Sequence, residues 1–571
     1  MFWENKRFLT VTLTLLLYGL MAVFYNSPAL SEPRLNRELF TWFFWVAATG
    51  LYGAGFIAFR LRSEPSDLRL PKDLDRDFIG VLVGALALMV LALFIPPFHS
   101  TDLYGYINRG WQQVSYGVNP YIVTVNDIPG WENDPMLTNH WVNNPSPYGF
   151  LYMQIARTLT QWGQGIKPLT IFIFKSTNLL LYLACGLGIW FLTPRQSSPQ
   201  PSVHDRHSSQ QNQSKQKNPA TFIQPFIQSL IQASGIIGSE FKHWPDVSRL
   251  QRLYLFLWNP LILVHGCING HNDIWMGALL LLAFGLAMQA EKLSEKLQKS
   301  GANVMLPAML FLIFFLILVL PVATAATLTK YAAVVILPLI IIYILKQKKS
   351  GLLKSGILLV SLSFSVLVIW TCGQTYLQDW QAFKLGAIQK NAFVSHGSLH
   401  AMIYHAVQAI TKSVTAFSFL FFPLFFPDSP LGLHTEAFLL GVRTLLKNLL
   451  LVFYAMFCVS LGIKRLFSKS SSGYSAAQLR QDSVWLVAVL IGLISLKFYP
   501  WYLSMILPVV FLEQNKGVFW FFILLTCFQL ASITFIGQAH MLNFLVMTLA
   551  PILLWWQLNI LLGPQSPPKS T

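Results

Sequence analysis

An all-α polytopic membrane protein is the fold class this sequence predicts, and three observations predict it. Hydrophobic residues make up 54% of the 571-residue chain and charged residues 11%, where a soluble domain carries about 25% charged. The apolar residues fall in blocks of about 17–25, the length that crosses a ~30 Å hydrocarbon core as a helix. The basic residues, finally, gather in alternate loops. Soluble domains built to this length would lack the polar surface to stay in water.

Taken in order, the spanning blocks lie at about 8–25, 40–60, 78–98, 169–193, 250–267, 273–290, 304–327, 331–346, 352–372, 440–463, 483–498, 500–513, 517–537 and 541–562. Several are short, so the expected count is about 14 transmembrane helices, within a range of 11–14. The first follows Lys6 and Arg7 like a signal peptide, but the same alternation continues downstream, so it reads as a retained span. With the N-terminus inside, Arg60, Arg62, Arg69, Lys72 and Arg76 lie on the cytoplasmic side. So do Lys292, Lys296 and Lys299, then Lys346, Lys348, Lys349 and Lys354, and later Lys464, Arg465, Lys469 and Arg480. The opposite loops are poor in charge, 99–147 holding Arg109 as its one basic residue. This is the positive-inside pattern, with both termini cytoplasmic. Residues 373–439 break the alternation: they stay outside with Phe417–Pro427 re-entrant or interfacial, or they hide two further spans.

The domain reading follows from these blocks. Residues 1–193 form an N-terminal transmembrane part with a long non-cytoplasmic loop at 99–148, and 250–562 a C-terminal transmembrane part. Between them, 194–249 is a cytoplasmic insert rich in Gln, Ser, Pro, Asn and Lys, partly disordered. In it Phe222, Ile223, Phe226, Ile227, Leu230 and Ile231 recur at helical spacing, as in a helix lying on a leaflet. Residues 563–571 are a cytoplasmic tail. The formal charge of +17 thus reflects threading through the membrane, and no nucleic-acid partner is expected. The five cysteines sit singly in apolar segments, with no metal-ligand spacing and no disulfide framework.

Polar residues gather where charge is scarce. The outer loop Ser100–Tyr148 holds Asp102, Tyr104, Tyr106, Arg109, Trp111, Asn119, Tyr121, Trp141, Asn144 and Tyr148. On the same side lie Asn269-Gly270-His271-Asn272-Asp273, Lys330 with Tyr331, Ser395, His396 and His400, the run Lys497–Tyr502, and Gln538 with His540. Ionisable groups at membrane depth are candidates for function. Asp102 follows a span ending Ile95-Pro96-Pro97-Phe98, so it sits at the membrane surface. A carboxylate there can take a proton from an incoming hydroxyl, or it can cap a helix that starts at Leu103. Arg109, Lys330 and Lys497 can bind a phosphate or snorkel to the interface. His271 and Asp273 with Asp102 make a thin ligand set for a metal, so no cofactor is expected, although a divalent ion is chemically possible.

Six segments in order carry a resemblance. Asp102-Leu-Tyr-Gly-Tyr106, Gly117-Val-Asn-Pro-Tyr121, Asn144-Pro-Ser-Pro-Tyr-Gly149, Asn259-Pro-Leu261 with Asn269–Asp273, Lys330-Tyr331 and Pro500-Trp-Tyr502 span roughly 80–560. The chain resembles the membrane glycosyltransferases of the GT-C fold, and more closely the bacterial polyprenol-phosphate-mannose-dependent mannosyltransferases. The resemblance implies a multi-pass enzyme of the bacterial cytoplasmic membrane with a non-cytoplasmic active-site face. It implies a hexose, mannose, moved with inversion from a polyprenyl-phosphate donor to a glycan or lipid-linked acceptor such as a glycolipid. Asp102 would be the general base, and Arg109, Lys330 and Lys497 would hold the donor phosphate. Tyr104, Tyr106, Asn119, Tyr121, Asn144, Tyr148, Asn269, His271, Asn272, Asp273, Tyr499, Trp501, Tyr502 and His540 would line the sugar and acceptor pocket. The loop lacks an acidic residue beside Asp102, which argues against a metal-dependent subtype, and the 194–249 insert lies outside the family pattern.

A transporter or flippase of lipid-linked sugars is the competing class. It calls for broken or charged helices at mid-membrane, commonly in a repeated half. Lys175, Arg443 and Lys447 are the few charges inside the expected spans, and no internal repeat is present. A structural partner in polymer export would have no need of Asp102.

Overall fold

The computed structural model describes residues 2–31, 34–60, 71–194, 246–299, 305–347, 350–378, 399–421, 431–468, 473–495, 497–531 and 545–562. Among them every regular element is helical, and nine helices are long and apolar enough to cross a membrane. The N-terminal part comprises α1 (Phe2–Asn26), α2 (Arg34–Arg60), α3 (Pro71–Phe94), α4 (Asp102–Ser115), α5 (Phe150–Trp162) and α6 (Lys167–Leu192). The C-terminal part comprises α7 (Arg249–Leu257), α8 (Asp273–Lys299), α9 (Met305–Thr327), α10 (Leu337–Leu345), α11 (Gly351–Gly373), α12 (Leu399–Phe421), α13 (Leu431–Phe467), α14 (Ala476–Val489), α15 (Lys516–Gln529) and α16 (Ala550–Leu562). The insert at 195–245, with its apolar stripe, and the tail at 563–571 lie outside the described residues.

The difference between nine long spans and about fourteen has a physical cause. Several apolar blocks are helical but interrupted. The block at 250–267 breaks at Trp258–Asn259, because Pro260 has no N–H to continue the ladder. The Asn259 side chain restarts it, accepting from the amides of Leu261 (3.1 Å) and Ile262 (3.3 Å). A π-helical turn, Leu263–Ile268, follows. The block at 331–346 opens as a 3-10 turn, Tyr331–Ile336, and that at 500–513 as another, Pro500–Met505. Residues 373–439 are not a plain outer loop. Helix α12 runs through Phe417 to Phe421, the first part of the Phe417–Pro427 stretch. Residues 422–430 lie outside the described set.

Two cores hold these helices. The larger fills the bundle, with Phe44, Leu88, Tyr182, Phe256, Phe284, Val319, Phe511 and Phe522 fully buried. Outward faces stay apolar, with Leu352 87%, Phe191 70% and Leu180 67% exposed, as suits a hydrocarbon solvent. The smaller core, with Leu103, Tyr106, Tyr121, Met136, Phe150, Tyr152 and Met153, packs α4 against α5 and folds the outer loop onto them. Neither α4 nor α5 has the length and hydropathy of a span, and together they form the platform of the site.

Lys175 ties the bundle to that platform. Its ammonium, buried on α6, donates to the carbonyls of Ala92 (2.7 Å), Leu93 (3.0 Å) and Ile95 (2.6 Å) at the end of α3. These are carbonyls that a helix terminus leaves without partners, and a cation is favoured there. The segment so fixed leads directly into Asp102. Lys175→Met should lower unfolding stability in detergent by about 2–4 kcal/mol, because buried carbonyls lose their donor. An unchanged midpoint of thermal unfolding would show that the carbonyls find other donors.

Candidate active site

Helix α4 brings Asp102, Gly105 and Arg109 to one face, at positions i, i+3 and i+7. All three line a cavity of about 780 Å³. The chain reaches α4 through Phe98 and His99, whose amides both donate to the Asn269 side chain at 3.1 Å. Thr101 precedes the helix without a side-chain cap, and Asp102 opens its first turn.

Facing α4 is the hairpin Asn269–Asp273. Gly270 turns it with φ +71°, a conformation that costs glycine little, and a methyl group there would meet Leu103 at 3.0 Å. Asn178 of α6 fixes the turn by donating to the carbonyls of Gly266 (3.0 Å) and His271 (3.1 Å) and accepting from the Trp275 indole (2.9 Å). The His271 ring stacks on Trp501 with centroids 4.0 Å apart. Its Nδ1 then sits 3.4 Å from the Asp102 carboxylate. Lys330, from the turn after α9, donates to the Asp273 carboxylate at 2.8 Å. The same ammonium stands 5.0 Å from the Tyr502 ring centre and 5.7 Å from that of Tyr148.

The charges set the state of Asp102. Burial pushes its carboxyl up, but the facing His271 and the positive charges of Lys330 and Lys497 outweigh it. The carboxyl is held below the usual carboxylate range. Burial pulls Lys497 below the usual lysine range, against the opposing charge of Asp102. Asp102 is therefore ionised at neutral pH and can accept a proton.

The cavity has two kinds of lining. Polar, charged or aromatic side chains come from Asp102, Arg109, Trp141, Asn144, Tyr148, Lys330, Lys497, Tyr499, Trp501 and Tyr502, and apolar ones from Leu451 of α13, Leu490, Ile491 and Ile494 after α14, and Met505. Lys447 of α13 also lines it. Interrupted helices supply much of this lining, since Leu490–Ile494 is π-helical and Pro500–Met505 a 3-10 turn.

The structure brings together nine of the expected site residues and places the other described ones elsewhere. Asn269, His271, Asn272 and Asp273 are fully buried and stand behind the wall instead of lining it. Their polar atoms serve the backbone of Phe98 and His99, Asp102, Tyr106 and Lys330. Tyr106 is likewise buried, donating to the Asn272 side chain at 3.1 Å. Asn119 and Tyr121 lie to the rear, Asn119 donating to the Tyr376 carbonyl (3.0 Å) and Tyr121 to that of Tyr148 (2.6 Å). Tyr104 packs against the His140 ring, centroids 5.6 Å apart. His400 is buried on α12 and does not line the cavity. His540, Ser395 and His396 lie outside the described residues. Lys447, Trp141, His99 and Ser100 line the cavity without having been among the expected residues. Lys447, a charge within an apolar span, was a signal that pointed to it.

Among the described residues no group of three or more His, Cys, Asp and Glu side chains is arranged to hold a metal ion. The carboxylates here face side-chain nitrogens, Asp102 that of His271 and Asp273 that of Lys330.

The described chain is an all-helical bundle with membrane-spanning helices and with a carboxylate and several cations in one cavity at a span's end, and a sequence-family match supports a membrane glycosyltransferase. Its residues 29–198 match the model of the family described as alpha-(1->6)-mannopyranosyltransferase, N-terminal domain. That match covers α3, α4, α5, α6 and the outer loop, Asp102 and Arg109 included, and it agrees with the GT-C mannosyltransferase resemblance and supports mannosyltransferase activity in general. No curated protein and no solved structure matches the chain.

Proposed function

We propose that the protein moves mannose from a polyprenyl-phosphate donor to a glycan or lipid-linked acceptor on the non-cytoplasmic face of the membrane, with inversion at the anomeric carbon. The observation that carries this reading is Asp102, facing His271, in a cavity lined by cationic and aromatic side chains together with apolar ones. The apolar lining of Leu451, Leu490, Ile491, Ile494 and Met505 suits a polyprenyl chain, and Lys330, Lys497 and Lys447 suit its phosphate. The acceptor oxygen attacks the anomeric carbon as its proton passes to Asp102. The bond to the phosphate oxygen breaks, and lipid phosphate leaves with the electron pair. A phosphate is a good leaving group, so one base suffices, unlike the two carboxylates that hydrolysis of a glycoside requires.

The electrostatics suit that sequence of events. The donor phosphate is a diester with one negative charge, and on arrival it offsets part of the positive charge that holds the Asp102 carboxyl down, so donor binding itself strengthens the base. Positive charge also stabilises the phosphate as it departs. His271 holds the carboxylate in position from behind, stacked on Trp501.

The test is transfer by the purified protein in vesicles, supplied with polyprenyl-phosphate mannose or with a nucleotide-activated mannose. Transfer from the lipid donor alone, with inverted anomeric configuration by NMR, is expected. Use of the nucleotide sugar, or transport of the lipid donor without transfer, would overturn the reading.

A pH dependence follows from the two directions. Asp102 is ionised above its lowered value, so activity should be lost as pH falls through a point below the ordinary ~3.9. Lys497 is charged below its lowered value, so activity should fall on the alkaline side before the ordinary ~10.4. Lys497→Arg should shift the alkaline limb upward and leave the acid limb in place; unmoved limbs in that variant would remove Lys497 from the site.

A further inference from the structure

We infer that Trp141 is the platform on which the acceptor's sugar ring stacks, one residue-turn away from Asp102; this deepens the mannosyl-transfer reading and rests on it. Trp141 adopts φ +60°, in the left-handed region that non-glycine residues rarely occupy. Such strain persists where the surroundings over-determine it, and it collects at functional sites. Here the surroundings are on α4. Asn108 donates to the carbonyls of Thr138 and His140, each at 3.0 Å. Arg109 donates to the Trp141 carbonyl at 2.9 Å and also to that of Asn144. Four carbonyls of the segment 138–144 are thus fastened to two successive side chains of one helix.

The product of that fastening is an aromatic ring held against the cavity. Trp141 lines it, yet remains 41% exposed. The indole rests on Gly105, where an added methyl group would come within 3.1 Å of its Cδ1. Gly105 lies three residues after Asp102 on the same helical face, a separation of about 5–6 Å. A pyranose ring is close to that width. A sugar lying with its C–H face on the indole therefore presents a ring hydroxyl to the Asp102 carboxylate. The electron-rich aromatic face attracts the polarised C–H groups of that sugar face. Asn144 beside it on the cavity wall offers donors and acceptors to the hydroxyls at the ring's edge. Lys330 and Lys497 line the same cavity and supply the charge for the donor phosphate, which leaves the Trp141 ring for the acceptor.

Trp141→Gly is the informative variant, because glycine accepts φ +60° and the change removes the ring while relieving the backbone. With polyprenyl-phosphate mannose as donor and octyl α-mannoside or an α-(1→6)-linked dimannoside as acceptor, KM for the acceptor should rise about tenfold. The donor KM should stay within threefold. Trp141→Tyr should recover most of the acceptor affinity. An unchanged acceptor KM in Trp141→Gly, with the unmodified enzyme transferring normally, would overturn the platform and leave the transferase reading intact. A raised donor KM in place of the acceptor's would assign the ring to the donor and equally overturn it. If the unmodified enzyme transfers mannose to neither acceptor, the mannosyl-transfer reading fails, and the platform with it.

Discussion

Asp102→Asn should lower the rate of sugar transfer about a thousandfold, the scale of a lost general base. Asparagine has nearly the same shape, so the contact with His271 and the start of α4 remain, and the protein should fold and insert as before. The donor should bind slightly more tightly in this variant. Removing a negative charge beside Lys330 and Lys497 leaves those cations free for the phosphate. A fall in kcat combined with an equal or lower donor KM would separate a chemical role from a binding one. Activity within tenfold of the unmodified enzyme would remove Asp102 as the base.

Lys330→Met should cost more in folding than any other single change at the site. Asp273 is fully buried, and its Oδ2 has no hydrogen-bond partner among the described residues. Taking away the ammonium at 2.8 Å leaves a buried carboxylate uncompensated, a loss of about 3–5 kcal/mol. Lys330→Met combined with Asp273→Asn removes both charges and should recover most of the stability. The double variant should still bind the donor weakly, since the cation is absent. Stability measured in detergent and donor KM would therefore move independently across the four proteins of this cycle. Full recovery of donor affinity along with stability would make Lys330 a structural partner of Asp273 alone.

Much of the architecture is legible in the sequence, because apolarity over a fixed length is nearly all a bilayer demands. The spans at 8–25, 40–60, 273–290, 352–372 and 440–463 each fall within a long helix, and those at 78–98, 169–193 and 304–327 match one to within four residues. The interrupted blocks at 250–267, 331–346 and 500–513 read as ordinary spans, since hydropathy records solvent and not the hydrogen-bond pattern. Prolines at 260, 338, 500 and 508 mark the local restarts, but a proline near a span's end is also ordinary at the start of a helix. Helix α12 escapes for the opposite reason: Tyr404, His405, Gln408 and Lys412 dilute its apolar content below that of a span.

At the site, Asp102 is legible because it stands where a span ends and a polar loop begins. The inward burial of Asn269–Asp273 is not, since a polar run at a turn reads the same whether it faces a cavity or backs its wall. Trp141 depends on three-dimensional fastening by Asn108 and Arg109, more than thirty residues earlier in the chain, which no local pattern encodes. Lys447 announces itself as a charge in an apolar helix, but which neighbour it faces is decided by packing alone.

The two unlike linings of the cavity have a consequence for traffic. Under the proposed transfer, the donor's polyprenyl chain belongs to hydrocarbon and the acceptor's sugar to water. A recess lined by Leu451, Leu490 and Ile494 as well as by Trp141, Asn144 and Asp102 would then work as a two-phase reactor. Each group would reach the reaction from its own solvent, and neither would have to cross into the other.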